Sequence, residues 1–160
     1  MLNKLALIIA TFFGSGLSPK APGTAGSFAT LPLAFVMAYF FGREGILCAA
    51  LVSFFIGVWA IHQITKDSEE KDPSKVVIDE TAGQLMSFVL VAPYLQGTIN
   101  LKILFVYLIG FGLFRFFDIV KRGPVKWADT KLKNAWGVML DDVFAGIFAA
   151  IVLLVIYSKI

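Results

Sequence analysis

Apolar runs alternate with short polar breaks along almost the whole chain, and that alternation predicts a bundle of membrane helices. Residues 28–41, 46–61 and 81–95 carry no charge, 103–117 carries only Arg115, and 135–157 carries only Asp141 and Asp142. The five runs predict about five spans, several of them shorter than the roughly 20 residues that cross a bilayer. Short helices ending at the headgroups suit a site built at the membrane interface. Ahead of them, residues 5–13 form an apolar segment behind Lys4. A dense Gly/Pro/Ser motif follows it, so it is read as a retained interfacial helix and not as a cleaved signal. The expected fold is all-α: one membrane-embedded domain over residues 1–160, with about five membrane helices and an N-terminal interfacial helix.

The breaks carry their own expectations. Gly14 to Ser27 holds four glycines and two prolines in 14 residues, which predicts a structured loop and not a regular helix. Gly42-Arg43-Glu44-Gly45 predicts a tight turn, and residues 96–100 another. Residues 62–80 form a polar segment, and 118–134 a basic loop.

Composition agrees with the pattern. The chain is 58% hydrophobic with only 16% charged residues, far from a soluble average. Its single Cys48 rules out an internal disulfide framework. A net charge of +3 is modest, and no nucleic-acid partner is expected. The distribution of charge says more. With five spans, eleven of the fourteen Lys and Arg residues fall on one side, with Arg43, Lys102 and Lys159 opposite. The positive-inside rule then puts the polar segments in the cytoplasm. Every acid except Glu44 falls on that side too, so the candidate chemistry collects at one membrane face.

Asp141 and Asp142 stand at the mouth of the last apolar run. An uncompensated carboxylate in hydrocarbon costs at least about 2.5–3.5 kcal/mol, so the pair calls for a partner. Asp79-Glu80 forms a second acidic pair. Taken alone it reads as helix capping; taken with the first, a shared cluster explains both. With oxygen ligands, one histidine and no cysteine pair, the chain points to Mg²⁺ or a similar hard cation and away from zinc. Arg115 and Asp118 share a helical face and can pair, leaving the guanidinium to clamp a phosphate. Lys121, Arg122 and Lys126 suit an anionic lipid headgroup. The Gly14–Ser27 stretch adds Ser18, Lys20, Thr24 and Ser27 as phosphate-cradling candidates, although it lacks the Walker A spacing. Together these predict a metal-dependent phosphatase acting on a lipid phosphate.

Several stretches carry a family resemblance in order along the chain. They are Ser18-Pro19 with Pro22-Gly23-Thr24 and Gly26-Ser27, Asp79-Glu80 with Gly83, then Arg115, Asp118, Lys121, Pro124 and Asp129, and finally Gly137, Asp141-Asp142 and Ala145-Gly146. This set resembles the phosphatidylglycerophosphatase A family; Arg122 departs from the Lys-Pro common there. The resemblance implies a Mg²⁺-dependent enzyme of the bacterial inner membrane that converts phosphatidylglycerophosphate to phosphatidylglycerol. Asp79, Glu80, Asp141 and Asp142 would hold the metal and position water. Arg115, Lys121 and the serine- and threonine-bearing stretch would bind phosphate, with Asp118 holding Arg115. Two alternatives carry different signatures. A lipid alcohol phosphotransferase would show a D-G-x₂-A-R pattern, which is missing, and a small transporter would spread its acids through the midplane of several helices.

Overall fold

A computed structural model describes residues 2–66 and 73–159, apart from the Asp129 side chain. The polar residues Asp67, Glu69, Glu70, Lys71 and Asp72 of the 62–80 segment lie outside the described residues. The helices are α1 (Leu2–Ala10), α2 (Pro22–Thr65), α3 (Ile78–Met86), α4 (Ala92–Leu95), α5 (Leu101–Val120), α6 (Pro124–Lys131) and α7 (Ala135–Tyr157). Among the described residues there is no strand, as the sequence predicts.

Three helices, α2, α5 and α7, are long and apolar enough to cross a membrane. That corrects the expected five. The first two predicted spans form one element, α2, broken at Gly42, whose φ of 60° and ψ of −140° are open essentially to glycine alone. Its two arms fold back on each other. Ala34, Ala38, Ile46 and Ala50 share one buried cluster, and a Cβ on Gly45 would lie 2.8 Å from the Met37 carbonyl oxygen. Small residues let the arms approach closely, as in membrane helix pairs.

The third predicted span is not a long helix. Residues 78–95 comprise α3, a run of turns and α4. Thr81, Gln84 and Ser87 in this stretch are fully buried. The stretch starts beside α1, where Val77 N–H donates to the Ala10 carbonyl at 2.8 Å. It ends beside the Gly42 break, where Gly97 N–H donates to the Tyr39 carbonyl at 3.0 Å. Protein encloses this irregular backbone, and α2, α5 and α7 supply the enclosure.

Two breaks are also more ordered than expected. Pro22 sits in the first turn of α2, where its missing N–H costs nothing, so residues 22–27 are helical and the loop is confined to residues 11–21. The basic loop contains α6, which starts after Gly123. The α5 and α7 starts are capped by Asn100, which accepts from Ile103 N–H at 2.9 Å, and by Asn134, which accepts from Trp136 and Gly137 N–H at 3.0 and 3.1 Å.

The outer surface is apolar. Phe28, Phe40, Phe105, Phe116, Ile119, Ile151 and Val155 are each at least half exposed. A patch of this extent marks a surface that meets something other than water, which suggests membrane association. The outward face of α1, with Leu5 and Ile8 exposed over buried Ala6 and Ala10, fits the expected interfacial helix.

Candidate active site

Four elements converge at the end of the molecule opposite Gly42. The first turn of α3 brings Asp79 and Glu80, and the second turn of α7 brings Asp141 and Asp142. From α5 come Arg115 and Asp118, with Lys121 as its left-handed C-cap. The first turns of α2 bring Gly23 and Ser27.

Close helix packing makes this convergence possible. A Cβ on Gly83 would lie 2.5 Å from both the Asp142 carbonyl oxygen and a Phe114 ring carbon. On α7, a Cβ on Gly146 would run into the Gly83 carbonyl oxygen. Paired glycines thus let α3 and α7 touch backbone to backbone one turn beyond their acids.

Asp79, Glu80 and Asp142 each offer a carboxylate oxygen within 4.8 Å of the others. Asp142 is 3% exposed and Asp79 8%, and Asp118, Asp79 and Asp141 crowd the Asp142 carboxylate. Buried Glu80 Oε2 and Asp142 Oδ2 have no hydrogen-bond partner among the described residues. Asp141 is turned differently: its Oδ2 accepts from Lys121 Nζ at 2.6 Å, and its Oδ1 accepts from the Asp142 N–H at 3.0 Å.

Arg115 stands beside the acids. Its Nη1 is 2.6 Å from Asp118 Oδ2 and 3.8 Å from Glu80 Oε1, and it donates to Ser27 Oγ at 3.5 Å. The i, i+3 pairing expected from sequence is therefore present. Gly23 closes the side: a Cβ there would strike Glu80 Oε1 and lie 3.2 Å from Arg115 Nη1. The contacts described at the cluster draw on Gly23 and Ser27 of the N-terminal stretch, and not on Ser18, Lys20 or Thr24. Ser18 Oγ instead donates to the Lys20 carbonyl at 2.9 Å. Gly23 is a site residue that composition did not single out, because its contribution is the absence of a side chain.

Five carboxylates (Asp79, Glu80, Asp118, Asp141, Asp142) face two cations, Arg115 and Lys121, leaving three negative charges if all are ionised. Burial, then the Asp142 charge, pushes the Glu80 carboxyl up to about 8 against the hydrogen bond from Asp79; Asp118 raises it further and Arg115 opposes. Such crowding is costly without a counter-ion. An all-oxygen set with buried, unpartnered oxygens fits a hard divalent cation bound by a few carboxylates. The residues present therefore fit the metal inferred from sequence.

The whole chain can be compared with known proteins. The family model described as Phosphatidylglycerophosphatase A matches residues 8–157. The chain is 37% identical over 156 residues to Phosphatidylglycerophosphatase A of Haemophilus influenzae, covering 98% of this chain and 90% of the relative. It is 32% identical over 143 residues to Phosphatidylglycerophosphatase A of Escherichia coli K12, covering 89% and 78%. A third relative, the "Putative phosphatidylinositol-3-phosphatase" of Bacteroides thetaiotaomicron, is 37% identical over 155 residues, covering 94% and 92%. No solved structure gives a significant match. By the extent of these matches, the chain belongs to the phosphatidylglycerophosphatase A family.

Proposed function

We propose that this protein hydrolyses the terminal phosphate of phosphatidylglycerophosphate, giving phosphatidylglycerol and inorganic phosphate. The observation that carries the reading is the trio Asp79, Glu80 and Asp142 within 4.8 Å, with Arg115 alongside. The relatives' names supply the substrate class.

In this reading Asp79, Glu80 and Asp142 hold Mg²⁺. When bound, the ion would neutralise charge on the phosphate and lower the pKa of water. Arg115, anchored by Asp118, orients the phosphate oxygens with two N–H donors. Lys121, held by Asp141, adds positive charge at the same end. Water adds to phosphorus as the bond to the glycerol oxygen breaks, and that oxygen leaves with a proton as the free hydroxyl. Phosphoryl transfer of this kind depends chiefly on positioning and charge stabilisation. Ser27 supports Arg115, whereas Ser18, Lys20 and Thr24 make none of the contacts described at the cluster.

The location proposed is the bacterial inner membrane, multi-pass, with the site facing the cytoplasm. The excess of Lys and Arg at the acidic end supports that orientation. A transporter is disfavoured because the acids sit at one end of the bundle.

A second headgroup merits equal testing, because one relative at 37% identity carries a phosphatidylinositol-3-phosphatase name. Both lipids present a phosphate monoester on a polyol attached through a phosphodiester. Purified protein should be assayed for phosphate release from phosphatidylglycerophosphate, phosphatidylinositol 3-phosphate and phosphatidic acid. Release fastest from the first supports the proposal; preference for the inositol lipid would reassign the substrate, and no release from any would reject the phosphatase reading.

A further inference from the structure

Next to the acids, but facing away from them, lies a groove of about 510 Å³, within the usual range for ligand clefts. Phe116, Phe117 and Val120 of α5, Val125 of α6 and Phe148 of α7 line it, and Arg122 is the one charged lining residue among the described residues. We propose that this groove seats one fatty-acyl chain of the lipid being hydrolysed, with Arg122 meeting the phosphodiester that joins diacylglycerol to the headgroup. The proposal rests on the phosphatase reading above.

The last turns of α5 build both sites at once. Arg115, Asp118 and Lys121 recur at helical spacing and engage the acids. Phe116, Phe117 and Val120 fall between them and turn to the groove. On α7, Asp142 faces the cluster, and Phe148 lies nearly two turns further on with its ring 5.8 Å from that of Phe117. The groove thus adjoins the site along the same two helices.

Its chemistry matches one occupant. Walls that are mainly aromatic and aliphatic suit a hydrocarbon chain, and Phe116 is 57% exposed on the apolar outer surface, where lipid has access. The exposed Arg122 follows Lys121 directly. Two cations in sequence match a substrate with two anionic groups one glycerol apart, the monoester and the phosphodiester. A chain entering the groove from a bilayer leaves hydrocarbon for hydrocarbon, so little affinity comes from the transfer itself. The gain is alignment, since a misplacement of about 1 Å costs on the order of 10²-fold in rate.

The test compares dioleoyl phosphatidylglycerophosphate with its deacylated, water-soluble headgroup, glycerophosphoglycerophosphate, in wild type and Val120→Trp. Val120 is partly exposed, and tryptophan there fills the groove; Val120→Phe replaces it if the first variant elutes as aggregate. The ratio of kcat/KM, acylated over deacylated, should fall at least about tenfold relative to wild type. An unchanged ratio, whether both substrates suffer equally or neither suffers, overturns the assignment and leaves the groove to a bystander lipid. Failure of wild type on both substrates would instead reject the phosphatase reading, and the groove assignment with it.

Discussion

Asp141 and Asp142 are adjacent, yet they make different contacts. A helix turns about 100° per residue, so only Asp142 meets Asp79 and Glu80, while Asp141 binds Lys121. Similar division holds Arg115 between Asp118 and Glu80. Asp118→Asn removes the charge of the closer partner and frees the guanidinium to swing toward Glu80. The expected result is a kcat loss on the order of 10²-fold from misplacement, with the melting temperature little changed; an unaltered kcat would show that Asp118 does not set Arg115. Gly23→Ala puts a methyl group against Glu80 Oε1 and Arg115 Nη1. Activity should fall on the order of tenfold while the protein still purifies as wild type does. Both acid pairs were legible in the sequence, because charge inside apolar runs is conspicuous. Which acid of each pair faces which partner was not, since that depends on helix rotation.

Among the elements, the α2 hairpin and the α3–α7 contact set the site's position. The Gly42 backbone lies where other residues are strained, and a Cβ there would also sit 2.8 Å from Gln96 Oε1. Gly42→Ala should cost about 1–3 kcal/mol of stability, read as a lower melting temperature in detergent; no change would mean the turn tolerates a side chain. The sequence placed a turn over Gly42-Arg43-Glu44-Gly45, where two apolar runs are interrupted, but the break falls at Gly42 alone and residues 43–45 are already helical. It misrepresented residues 81–95, because hydropathy does not separate a face toward lipid from one toward protein. Thr81, Gln84 and Ser87 were the available clue, as polar side chains buried inside, where the Thr81 and Ser87 hydroxyls and Gln84 Nε2 donate to near neighbours along the chain. It also misplaced the start of α2. Counting glycines and prolines weighed against a helix, yet Pro22 is favourable in the first turn and Gly23 and Gly26 pack where a side chain would collide.

At the scale of the molecule, charge and chemistry share one end. Glu80, Arg115, Lys121 and Asp142 gather there, while Arg43 and Lys102 lie toward the Gly42 end. The apolar exterior between the ends fits a membrane-embedded body. Single cysteines introduced at Lys126 and at Thr98, in a Cys48→Ala background, report the orientation. In intact cells an impermeant thiol reagent should label the Thr98 site and spare the Lys126 site; the reverse pattern would place the acids outside. Asp79, Glu80 and Asp142 are proposed to hold a cation required for phosphate release. The most direct test is phosphate release from phosphatidylglycerophosphate by purified wild type and Asp142→Asn, with Mg²⁺ and then with EDTA. The expected result is release by wild type that EDTA abolishes and added Mg²⁺ restores, and almost none from the variant under any condition. Release that persists in EDTA, or in Asp142→Asn, would contradict it.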